Sequence, residues 1–436
     1  MLSRVGFLLA TAAVLIGSPG PNGAQDDFDR APILYSQTAP DNAVSRLQAA
    51  LDAGERALLH EPGAGYLRSL LEALEVPVSS QTLVFSKTSL QRHRISPRTP
   101  RALYYNDDVY IGFCQLGEVL EVSIADPQLG TVFYTLDQSP DAAPEFVRQT
   151  DNCLICHGGS QTRNIPGHVL RSTYPDGSGQ PILASGTYRT DHATPLKHRW
   201  GGWYVTGRHG EQTHLGNRTY RGRPSEENPL DGSGLNVTDL SERIRTSAYL
   251  SPHSDLAALM VLEHQAGGHN VLTRAAFDTR MALHREDSLN RELHDKPDHR
   301  WDSTNTILKS SAESLVKYFL MSGEVALSSP VAGTSAFTKQ FPLRGPRDSQ
   351  GRSLRDLDLQ TRLFRHPCSY LIYTASFDAL PAELRDRFWA RMDEVLTGDD
   401  PSPDFAHLSP DDRQAIREIL IATKPGLPTG WGTRMN

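Results

Sequence analysis

The chain has 436 residues, with 44 Lys and Arg against 51 Asp and Glu and a formal net charge of −7 when its 16 histidines are neutral. That mildly acidic balance, with basic residues scattered along the chain, gives no electrostatic reason to seek nucleic acid or anionic lipid. Four cysteines exclude a dense disulfide framework, so each Cys can be asked for a specific job.

Residues 1–24 place Arg4 ahead of an apolar run from Val5 to Ile16 and a small-residue exit near Ala24, the three parts of a secretory signal. A membrane-spanning helix needs about 20 predominantly apolar residues, and Gly17, Pro19 and Pro21 end this run sooner. No later segment approaches that length. The sequence therefore predicts export to a periplasmic or equivalent extracytoplasmic space, with no stable membrane insertion of the mature chain.

Residues 25–138 read as an α+β region. Val44, Leu47 and Leu51 fall near helical spacing behind Asp41 or Asn42, either of which can cap, and a second short helix runs from Tyr66 to Leu74, ahead of Pro77. The period then changes to short β-branched and aromatic runs at Thr82–Phe85, Arg101–Tyr105, Val109–Phe113, Val119–Ile124 and Thr131–Leu136. Turn residues such as Asn106-Asp107 and Asp126-Pro127-Gln128-Leu129-Gly130 separate them, which predicts a small antiparallel meander. Residues 139–237 hold a Cys/His segment followed by long Gly-, Arg- and His-rich loops, with a strand pair candidate around Trp200–Val205. Residues 238–436 read as helical, with the best-formed elements at Ser254–Arg280, Ser310–Met321, Leu380–Leu396 and Pro410–Thr423. The expected fold class is α+β and predominantly helical: a small antiparallel β region, then a haem segment, then a helical C-terminal half.

The chemistry sits in Thr150-Asp-Asn-Cys153-Leu-Ile-Cys156-His157-Gly-Gly, a C-x-x-C-H pattern. Two thiols three residues apart on one helical turn can reach the two vinyl groups of a porphyrin, and the adjacent imidazole can then take the iron. Gly158-Gly159 suits the end of such a turn. A structural zinc site would need four ligands, and Cys114 and Cys368 are single and distant. A thioredoxin-like pair would need a βαβ unit, whereas the preceding strands read as antiparallel. The expected cofactor is one covalent haem c, on Cys153 and Cys156, with His157 on the iron. Cys114 and Cys368 stay open between one long-range bridge and two buried thiols.

The pattern resembles cytochrome c, and Arg163-Asn-Ile-Pro166-Gly167 is similar to the Pro-containing loop that supports the proximal imidazole in that family. The resemblance implies that the Pro166 carbonyl accepts a hydrogen bond from the His157 ring. It covers only about residues 140–167. More widely, Arg101-Ala-Leu-Tyr-Tyr-Asn-Asp-Asp-Val-Tyr, Trp200-Gly-Gly-Trp-Tyr-Val-Thr-Gly, Met260-Val-Leu-Glu-His-Gln and Pro367-Cys-Ser-Tyr-Leu-Ile-Tyr are similar to a group of large exported proteins with one haem-attachment motif. That likeness supports the architecture and implies no reaction.

No Met stands between His157 and Met260, a departure from the His/Met pattern of the family. His214 in the loop 208–217, and Met260 or His264 on one face of the helix from Ser254, are the candidate sixth ligands, beside another His or an open iron. Glu263, His264 and His269 lack a further acid at ligand spacing, which argues against a second metal. Two functions remain open. One is electron transfer with a redox partner protein; the other is a haem-dependent oxidoreductase with an open iron face, and with His209, His214 or Arg199 above it, acting on a small molecule.

Overall fold

The computed structural model describes residues 27–141, 143–223 and 232–431. The segment read as a secretory signal lies outside them. Five consecutive strands follow from the alternating runs: β1 (Thr82–Val84), β2 (Arg101–Tyr105), β3 (Val109–Phe113), β4 (Val119–Asp126) and β5 (Gly130–Asp137). Their turns use the residues that favour them. The Asn106 side chain accepts from the Asp108 and Val109 amides, Asp126 accepts from those of Gln128 and Leu129, and Gly130 takes φ +71°.

Alternation assigns the two faces of this sheet. Ala102, Tyr104, Ile111, Leu120, Val122, Val132 and Leu136 are buried in one cluster with Val44, Leu67, Leu70 and Leu71, which come from helices α1 (Ala43–Asp52) and α2 (Leu67–Ala73). Asn42 caps α1 in a reciprocal box with Ser45 and also donates to Asp126, tying the helix to the sheet. The other face, with Tyr105, Tyr110, Glu121, Ser123 and Phe133, is the one that the rest of the chain covers.

Two further strands join this sheet from beyond residue 138. They are β6 (Phe146–Arg148), beside β5, and β9 (Trp203–Tyr204), beside β1, so the order is β6-β5-β4-β3-β2-β1-β9, with every neighbouring pair antiparallel. Between them in sequence lie the single-turn helix α3 (Leu154–His157) and a separate hairpin, β7 (Arg171–Thr173) with β8 (Thr187–Arg189). A last short pair is β10 (Gly207–Arg208) with β11 (Ala332–Gly333).

The helical layer begins with α4 (Leu256–Glu292), 37 residues long and capped by Asp255, whose carboxylate accepts from the Ala257 and Ala258 amides. It packs on α5 (Asp302–Phe319), α5 on α8 (Ala382–Thr397), and α8 on α9 (Pro410–Thr423), with the one-turn helices α6 (Phe337–Gln340) and α7 (Ala375–Asp378) between them. Their apolar residues form a second large cluster.

The expectation of a predominantly helical α+β chain with a small N-terminal β region is overturned. The fold is mixed, with 37% of the described residues helical and 14% extended, and its centre is a seven-stranded antiparallel sheet reaching from residue 82 to residue 204. The reason is physical. β6 and β9 are three and two residues long, too short to show period-two alternation, so the sequence shows five strands by their alternation, offers Trp200–Val205 only as a separate strand pair, and gives no sign of β6. No helix among the described residues is long and apolar enough to cross a membrane.

Candidate haem-attachment site

Helix α3 is the turn that carries both thiols and the imidazole. Leu154 anchors it, 2% exposed in the sheet cluster, and the Gly158 amide closes it on the Leu154 carbonyl at 2.8 Å. A Cβ at Gly158 would lie 3.1 Å from the Phe28 ring, so glycine lets the turn end against that side chain. The chain then reverses through two consecutive left-handed residues, Arg163 and Asn164, at φ +63° and +58°. Thr162 locks the reversal by donating to the Ile165 carbonyl at 2.6 Å.

This brings residue 167 back onto α3 through a two-way link. The Gly167 amide donates to the His157 carbonyl at 2.9 Å, and the His157 Nδ1 pairs with the Gly167 carbonyl at 2.9 Å. A carbonyl oxygen only accepts, so Nδ1 carries the hydrogen and Nε2 keeps its lone pair. Burial pushes the imidazole below its ordinary pKa, while the Gly167 bond opposes that shift, and the neutral ligand form results. The ring packs on Phe133, centroid to centroid 4.8 Å.

The expected acceptor, Pro166, is therefore corrected by one residue. The Pro166 carbonyl takes the Thr131 amide of β5 at 3.0 Å, which leaves Gly167 as the carbonyl facing the ring.

Cys153 is half-buried and Cys156 exposed, and all four cysteines are unpaired. Burial raises the Cys153 thiol to about 11. Cys114 and Cys368 are buried thiols with no bridge between them, and burial raises both. Two unpaired thiols on one turn beside an imidazole with a free Nε2 form a donor set that fits haem c, with Cys153 and Cys156 as the attachment points and His157 as the iron ligand. Ile155, 71% exposed between the two thiols, adds apolar surface at the same place.

None of the residues named as a sixth ligand is brought against His157. His214 lies beyond β9, whereas the ring of His157 rests on β5. Five strand spacings of about 4.8 Å put it on the order of 20 Å away. Its Nδ1 also accepts from the Gly216 amide at 3.0 Å, so its Nε2 carries the hydrogen. Met260 is core, 3% exposed among the helices. His264 is fully buried, with Nδ1 3.1 Å from His192 Nδ1 and Nε2 2.8 Å from Ser369 Oγ. Arg199 is held in a buried ion pair with Glu263 at 3.2 Å and donates to the His192 carbonyl. His209 packs on His214 at 4.8 Å and lies in the same distant loop. The described residues contain no group of three or more His, Cys, Asp or Glu arranged for a metal ion.

The histidine that the structure does place near His157 is His168, next in sequence to Gly167, whose carbonyl meets the His157 ring. Its ring lies 4.0 Å from Tyr110 and 6.0 Å from His269. Its nitrogens meet Ser123 Oγ at 3.1 Å and Thr131 Oγ1 at 3.3 Å. Asn270 of α4 clamps its backbone, accepting from the His168 amide at 2.8 Å and donating to its carbonyl at 2.7 Å. Neither His168 nor His269 carries a spacing signal. What points to them is the sheet face on which both rings meet Tyr110.

No family model, curated protein or solved structure matches the chain.

Proposed function

We propose that this is an exported c-type haem protein. Cys153 and Cys156 hold one haem c covalently, His157 ligates its iron, and the chain passes electrons to a redox partner protein in the periplasm or its equivalent. The observation that carries the reading is the Nδ1 bond from His157 to the Gly167 carbonyl, which leaves Nε2 free beside two unpaired thiols. Haem c supplies one-electron chemistry when bound. The protein's part is to fix and tune it. The Gly167 carbonyl fixes the ring tautomer and raises its basicity, Phe133 holds the ring plane, and the Thr162 and Asn270 bonds stiffen the loop that carries the carbonyl.

A second reading is a haem-dependent oxidoreductase with an open iron position, acting on a small molecule. It is favoured by the placement of His214, Met260 and His264 away from His157, together with a polar cavity beside the attachment loop. Ferric and ferrous visible spectra, with and without carbon monoxide, separate the two. A low-spin spectrum unmoved by carbon monoxide supports the electron carrier. A high-spin ferrous form that binds it supports the oxidoreductase.

A further inference from the structure

A cavity of about 180 Å³ opens between the attachment loop, hairpin β7–β8 and helices α4 and α5. A water molecule's share of liquid volume is about 30 Å³, so the cavity admits a small ion together with part of its hydration. A residue that helices disfavour stands in its wall. Gly267 lies in the interior of α4, and a Cβ there would stand 2.2 Å from Tyr318 Oη. With glycine in that place, Tyr318 lies against the helix at the cavity edge and donates to the His264 carbonyl at 2.8 Å.

The charge of the lining is unbalanced. Arg163 and Arg189 border the cavity against one carboxylate, Asp191. Asp191 Oδ1 is engaged by the Ala193 amide at 2.9 Å and by Thr194 Oγ1 at 3.3 Å. Arg189 donates through Nη1 to the Ser160 and Gln161 carbonyls, which fixes its position against the attachment loop. Arg163 sits in the left-handed region with its carbonyl held by Arg274 Nη1 at 3.1 Å. Among the described residues its guanidinium meets no carboxylate. Non-glycine residues held in this region cluster at ligand clamps and active sites.

We propose that this cavity binds a small oxyanion, a monocarboxylate or an ion of sulfate size, gripped by the guanidinium groups of Arg163 and Arg189. Planar guanidinium forks match paired oxygens and recognise them better than a point charge would. The inference goes beyond the haem reading, because the grip on the anion uses neither thiol and not His157. His168 lines the same cavity, so the anion site and the attachment site share a wall.

The test is isothermal calorimetry on the full haem-loaded chain with sodium acetate and sodium sulfate, and with tetramethylammonium chloride as the control. Saturable binding of at least one oxyanion is expected, weakening as ionic strength rises. Arg163→Gln and Arg189→Gln should each weaken it about tenfold, a loss in the range of one charge-assisted hydrogen bond. Arg163 is exposed on its loop, so its substitution leaves the core untouched. Equal heats from all three salts, or binding unchanged in both variants, would overturn the proposal. So would binding to the haem-free chain that is lost once haem is attached, since the cavity would then belong to the prosthetic group's own carboxylates. Should no haem attach at all, the calorimetry still reads the cavity, and the two readings fail separately.

Discussion

The Gly167 carbonyl decides which nitrogen of His157 carries the proton, and with it which nitrogen is free for a metal. The same bookkeeping sets His214 aside, since an amide proton already occupies its Nδ1. Buried titratable groups elsewhere give the chain a defined pH response. Burial pulls His192 and His269 down to about 4 and holds His168, His214 and His264 well below the ordinary 6.5. Each binds fewer protons folded than unfolded below pH 6.5, so each adds stability as pH rises towards 6.5. Burial lifts Asp108, Glu263 and Glu324 to about 7, and these bind more protons folded than unfolded between their ordinary values and 7. They subtract stability as pH rises through that window. Below 6.5 the five histidines outnumber the three acids. Thermal melts followed by circular dichroism should therefore show a midpoint rising from about pH 4 to about 6.5, then falling between about 6.5 and 7. A midpoint that falls steadily from pH 4 upwards would contradict this assignment of charge states.

Among the elements, α4 does the most to organise the site. Asp255 caps its start, Asn270 and Arg274 hold the attachment loop, and a Cβ at Gly130 of β5 would meet Thr273 at 2.4 Å. Its two central glycines are packing residues. A Cβ at Gly268 would stand 2.3 Å from Leu371 Cδ1, so Gly268→Ala gains about 1 kcal/mol of helix propensity and loses about 1–3 kcal/mol to overpacking. The expected outcome is a lower urea midpoint, and a higher one would show that Leu371 moves aside freely. How far such elements could be read in advance depends on their own periodicity. Pro410–Thr423 matches the observed helix at both ends because Ser409 caps it with Asp412 and Pro410 starts it. The helix from Ser254 was expected to stop at Arg280 and runs to Glu292, because residues 284–292 are mostly polar or charged and carry no apolar stripe. The hairpin turns at Asn106 and Asp126 were legible for the opposite reason, since each uses a side chain that caps its own turn.

At the scale of the whole molecule, the sheet serves as a platform with α1 and α2 on one face and the attachment loop and α4 on the other. The candidate attachment motif of Cys153, Cys156 and His157 was legible in the sequence because it is local, and the structure places its five residues on one turn. The partners around them were not, because His168, Tyr110 and His269 come from a loop, a strand and a helix that meet only once the sheet has formed. The same distance in sequence hid the cavity, whose lining comes from the attachment loop, β8, α4 and α5. The central claim is that Cys153 and Cys156 hold a haem whose iron is bound by His157. The most direct measurement is the intact mass of the full chain, made in a host competent for cytochrome c maturation, followed by mapping of the peptide that contains residues 153–157. The account predicts the added mass of one haem, localised to that peptide and lost when both Cys153→Ala and Cys156→Ala are introduced. A colourless chain at the mass of the bare polypeptide would contradict it.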